Sequence, residues 1–86
     1  MEIEQLRVFL TLAETKNISR AAERLFVSHS TVSRSLSALE DELGVRLVER
    51  GNRVFGLTEA GERLRELASE AVRIVDSIEE EMHSFR

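Results

Sequence analysis

A mostly α-helical fold, three helices with a short two-stranded β wing and then one long helix, is predicted by three features of the 86-residue sequence. Proline is absent, and the four glycines (Gly44, Gly51, Gly56 and Gly61) all fall between positions 44 and 61. Apolar residues recur at helical spacing on both sides of that stretch, and within it they alternate with polar ones.

The elements follow in order. Leu6, Phe9, Leu10 and Ala13 predict an amphipathic helix over 3–15, broken at Lys16-Asn17. Ser19 is the expected cap of a second, short helix that ends near Phe26, with Ala22, Leu25 and Phe26 turned inward. Ser28 is the expected cap of a third. Its stripe of Val32, Leu36, Leu39 and Leu43 recurs at intervals of three and four, and Gly44 stands where a left-handed residue ends a helix. "VRLVERGNRVFGL", residues 45–57, reads as a hairpin turning at Gly51-Asn52, with Arg50 and Arg53 beside the turn.

Thr58 is the expected cap of the last helix, with Glu59 and Glu62 favourable in its first turn. Leu57, Leu64, Ala71, Ile78 and Phe85 recur every seven residues. Ala68, Val75 and Met82 form a second row, and Ala60, Leu67 and Ile74 a third flank. So wide a stripe is hard to bury within one small domain. Part of it is expected on the body of the domain and part on a second copy of the chain, through Leu64, Ala68, Ala71, Val75, Ile78, Met82 and Phe85. The alternative is a terminal helix lying wholly on its own core.

The length allows one small domain. Cysteine is absent, which removes disulfides and cysteine-type zinc sites. No apolar run approaches a membrane span, and the start of the chain lacks a secretory pattern, so a cytoplasmic protein with no membrane partner is expected. The net charge of −4 is unevenly spread. Residues 1–57 carry eight basic and eight acidic side chains; residues 58–86 carry four and eight. Lys16, Arg20, Arg24 and Arg34 against Glu23 make 16–35 locally basic, as do Arg46, Arg50 and Arg53 against Glu49.

The stretch "VSHSTVSRSLSALEDEL" (27–43) places its apolar stripe on one side of the third helix and small hydroxyls with Arg34 on the other. Such a face allows close approach, and it offers groups for phosphates and base edges. A Ser/His reaction centre would need an orienting third group and an oxyanion hole, and neither is evident. Glu40, Asp41 and Glu42 are consecutive and fan out around a helix, so they suggest a solvated face and no metal site. No enzyme and no cofactor is expected. A short helix, a three-residue turn "VSH" and the serine-faced helix make a helix-turn-helix, with Ala22 at the close crossing and Val27 plugging the turn; the basic hairpin after it makes a winged one.

With that order in place, "LRVFLTLAETKNISRAAERLFVSHSTVSRSLSALEDELGVRLVER" and the later "LTEAG" resemble the N-terminal DNA-binding region of LysR-type transcriptional regulators. The resemblance covers essentially the whole chain and implies a winged helix-turn-helix over 1–57 and a linker/dimerisation helix over 58–86. It also implies a longer protein, whose effector-binding C-terminal domain is absent from this chain. It implies a sequence-specific, dimeric binder of double-stranded DNA, with the third helix in the major groove and the wing in the minor groove. By the same resemblance His29, Ser30, Thr31, Ser33, Arg34 and Ser35 contact bases or phosphates. Ser19 and Ser28 meet phosphates at helix N-termini, Arg53 enters the minor groove, and Arg50 holds the wing or touches phosphate. The family often has Gln-Pro at His29-Ser30, phenylalanine at Val48 and a basic or polar residue at Gly56. A winged-helix protein–protein module with a coiled-coil dimer seam is the alternative, favoured by the overall acidity.

Overall fold

The computed structural model describes residues 1–49, 51 and 55–86. The described residues form α1 (Ile3–Thr15), α2 (Ile18–Leu25), α3 (His29–Leu43) and α4 (Glu59–His83). α1 packs against each of the other three, and α2 against α3.

Each helix end has a chemical cause. The Glu2 N–H donates to the Gln5 side-chain oxygen at 2.8 Å at the start of α1. Lys16 closes that helix in the left-handed region (φ 54°), its N–H donating to the Leu12 carbonyl. α2 is capped by Asn17, whose side-chain oxygen accepts from the Arg20 N–H at 3.0 Å. Ser19, the expected cap, lies inside α2. Both residue types cap well, but Asn17 follows directly on the break and takes the role first. Ser28 and Thr58 cap α3 and α4 as expected, accepting from the N–H groups of Thr31 and Gly61. Gly44 ends α3 at φ 72°.

The core gathers Phe9, Leu12, Ala13, Ala21, Ala22, Val32, Leu36, Leu39, Leu47 and Val48, with Leu25, Leu57, Ala60 and Leu64 packed against it. Leu12 rather than Leu10 is the fully buried leucine at that end of α1. Three expected core positions turn outward. Phe26 is 94% exposed, because the chain leaves the helix there with φ 58° and the side chain no longer follows the helical phase. Val27, in the turn that follows, is 40% exposed and so is not a buried plug, and Leu43 lies at the solvated end of α3.

Among the described residues the wing is represented by a single antiparallel bridge, Val48 with Leu57. The Glu49 N–H donates to the Gly56 carbonyl, and the Thr58 N–H to the Leu47 carbonyl. Gly51 has φ 116°, which glycine alone adopts easily. The other half of the expected Gly51-Asn52 turn lies outside the described residues. The base of this segment is tied in three ways. Glu40, a buried carboxylate, accepts from the Leu47 N–H at 2.7 Å. The Thr58 hydroxyl donates to the Arg46 carbonyl at 2.6 Å. The Phe55 N–H donates to the Lys16 carbonyl, reaching across to the α1–α2 break.

Gly61 lets the first turn of α4 lie against this segment. A Cβ there would overlap the carbonyl oxygen of Leu47. Gly61→Ala is therefore expected to lower stability by about 1–3 kcal/mol, despite alanine's better helix propensity, as read by urea unfolding. Phe26→Gly should do the reverse. It relieves a left-handed L-residue whose side chain buries nothing, and it should raise stability by about 0.5–1 kcal/mol in the same assay.

Candidate nucleic-acid interface

Serine is a mediocre helix former, so α3 depends on its packed side. Val32, Leu36 and Leu39 are buried, which turns Ser30, Arg34 and Ser37 to solvent with Thr31, Ser33 and Ser35 half-exposed along the flanks, and His29 is exposed because it opens the helix. No carboxylate among the described residues pairs with Arg34. The guanidinium keeps all its donors for a partner.

The N-terminus of α3 carries a cluster of hydroxyls. Ser28 Oγ accepts from the Thr31 N–H at 3.2 Å, and lies 3.1 Å from Ser30 Oγ and 2.8 Å from Thr31 Oγ1. These contacts hold the three side chains in register at the end of the helix where backbone N–H groups lack intrahelical acceptors and an anion is favoured. His29 stands exposed next to them.

The structure thus brings Ser28, His29, Ser30, Thr31, Ser33, Arg34 and Ser35 onto one helix and around its outer side. Ser19 is exposed in the first turn of α2. Arg50 and Arg53 lie outside the described residues. Arg20, which was not among the expected site residues, is exposed beside Ser19, and its N–H makes the Asn17 cap. The signal was its place in the local basic run. Arg24 is engaged by Glu14 at 2.7 Å, which makes it less available than its charge suggests.

α4 divides its apolar residues between two destinations. Ala68 is 1% exposed within the single chain, and Leu64 packs on the core, so both face the body of the domain. Ala71 and Val75 are half-buried. Leu67, Ile74, Ile78, Met82 and Phe85 are exposed and recur at helical intervals. Leu67 and Ile74, the third flank of the heptad pattern, share this exposed side although they were not among the residues expected to meet a second copy. Acidic residues occupy much of the remaining surface of α4, apart from the hydroxyl face of α3.

No helix among the described residues is long and apolar enough to cross a membrane. Among those residues no group of histidine and carboxylate side chains has the arrangement of a metal site.

Residues 3–62 match the family model described as bacterial regulatory helix-turn-helix protein, lysR family. The probable HTH-type transcriptional regulator LrrA of Synechococcus elongatus is 45% identical over 83 residues, covering 96% of this chain and 28% of the relative. The HTH-type transcriptional regulator IlvY of Escherichia coli is 44% identical over 72 residues, covering 84% of this chain and 24% of the relative. The chain therefore spans about a quarter of the length of these curated relatives. Among solved structures, the BenM DNA-binding domain in complex with benA site 1 DNA superposes with a TM-score of 0.95 at 30% identity, covering all of both chains. The CbnR DNA-binding domain in its DNA complex gives 0.91 at 38% identity, again over all of both chains.

Proposed function

The chain belongs to the lysR family of bacterial regulatory helix-turn-helix proteins, and we propose that it is the sequence-specific DNA-binding domain of a transcription regulator, acting on double-stranded DNA as a dimer. The observation that carries this is the outer side of α3, where hydroxyls and an arginine without a carboxylate partner among the described residues stand opposite the buried Val32, Leu36 and Leu39.

α3 enters the major groove N-terminus first. His29, Ser30, Thr31, Ser33, Arg34 and Ser35 face base edges and phosphates, with Arg34 forking onto a guanine or a phosphate. Ser19, Ser28 and the N-terminal N–H groups of α2 and α3 receive backbone phosphates, and Arg20 adds charge there. Arg53 is assigned to the minor groove, and Arg50 to the support of the wing or to a phosphate, on the family resemblance alone. No catalytic step is assigned to any residue. The acidic α4 lies away from the duplex, which reconciles a net charge of −4 with a polyanionic partner.

The body over 1–57 and the helix over 58–86 form the two functional parts. Two α4 helices pair through the exposed stripe of Leu67, Ile74, Ile78, Met82 and Phe85, with Ala71 and Val75 at its edge; Leu64 and Ala68 brace the helix on its own domain. The dimer presents two α3 helices to successive major grooves. The whole regulator works in the cytoplasm and responds to a small effector through a region outside this chain.

Fluorescence anisotropy on a labelled duplex, in two salt concentrations, tests the DNA reading. Affinity should fall steeply as salt rises, and affinity indifferent to salt would favour the protein–protein alternative. Arg34→Ala is expected to cost about 1–3 kcal/mol of binding and to relax preference at one base pair, or to flatten the salt slope by about one unit if its partner is a phosphate. In sedimentation velocity, Ile78→Asp should shift the chain from dimer to monomer while leaving helix content unchanged.

A further inference from the structure

α4 is held to the domain at two levels. Near its start the hold is apolar, through Ala60, Leu64 and Ala68, and Ala71, Val72 and Val75 beyond them stay half-buried. Two turns further on it is ionic. Arg7 of α1 places Nη2 at 2.7 Å from Asp76 Oδ1, while its Nε lies 3.4 Å from Glu4 Oε1. The guanidinium is thus gripped from its own helix and from α4, and the charge of Glu79 further favours its protonated form. Beyond Ser77, which is half-buried, residues 78–86 are all exposed among the described residues.

The pair is itself partly exposed, so it adds little to folding stability. Its position matters more. From Ala68 to His83 the helix runs about 22 Å, so a swing of roughly 10° about Ala68 would move the far end by about 4 Å. That exceeds the rise of one base pair, about 3.4 Å. Asp76 also lies about 200° around the helix from Ile78, so the ionic contact does not compete with the exposed apolar stripe.

We propose that the Arg7–Asp76 contact sets the angle at which α4 leaves the winged helix-turn-helix body, and thereby the spacing between half-sites that the dimer accepts. Arg7 and Asp76 are positioning residues for site choice and touch no DNA. The inference rests on the dimeric, DNA-binding reading above.

The test uses the full 86-residue chain and a site selected from random duplexes, with its two halves moved together or apart by one and two base pairs. Wild type should discriminate between spacings. Arg7→Ala and Asp76→Ala should each lower the ratio of best to next-best spacing by about fivefold, the scale of one exposed ion pair. Affinity for a single half-site and the dimerisation constant should stay within about twofold. Arg7→Lys, which keeps the charge, should retain most of the discrimination. The two alanine variants change net charge in opposite directions, so a shared effect on spacing cannot come from long-range attraction to DNA. An unchanged spacing profile in both alanine variants overturns the proposal, as does a dimeric wild type indifferent to spacing. A wild type that binds DNA only as a monomer overturns the dimeric reading, and this inference with it.

Discussion

Val32, Leu36 and Leu39 are sealed against α1 and α2, and on that seal α3 depends. A helix with so many serines has little reason to persist in water by itself. Packing one side turns a weak helix into a rigid one and leaves the opposite side free of any structural duty. That freedom lets small hydroxyls and an arginine be displayed where larger side chains would block close approach. The buried Glu40 extends the same seal to the far end of α3, where its carboxylate accepts from the Leu47 N–H. α3 and the root of the wing are therefore tied into one piece.

Charge is divided along the chain in a way that suits this arrangement. The basic residues of 16–35 lie on α2, on α3 and at the break before α2, while the acidic excess sits on α4. A polyanion approaching α3 meets local attraction, and the acidic helix resists lying along the duplex. The overall charge says little about binding because the two parts act over separate surfaces, and screening in physiological salt keeps each field local, within about 8 Å.

Much of this was legible in the residues. The caps Ser28 and Thr58, the stop at Gly44 and the phase of α3 follow from local chemistry alone, and local chemistry is what sequence records. The misreadings have local causes too. Asn17 and Ser19 are both capable caps two residues apart, and which one leads depends on where the preceding helix lets go. Phe26 has every compositional mark of a core residue. Its exposure comes from a left-handed backbone that glycine or asparagine would have advertised and phenylalanine conceals. On α4 the apolar pattern was clear, but its division was not. Ala68 turns inward and Leu67 and Ile74 outward because α1 packs along one side only, a tertiary fact that a heptad pattern does not carry.

The hydroxyl cluster at the start of α3 has a further consequence. Ser28 Oγ accepts from an amide and touches two other hydroxyls, either of which can act as donor or acceptor toward it. If Ser28 gives its proton to Thr31, then Ser30 gives to Ser28 and the Thr31 proton is left over. If it gives to Ser30, the Ser30 proton is left over instead. The cluster therefore holds one spare proton with two addresses, exchanged by rotating hydroxyls without moving a heavy atom. A partner can find a donor at one position and an acceptor at the other, or the reverse, so this end of the helix can adapt its polarity to what it meets while its shape stays fixed.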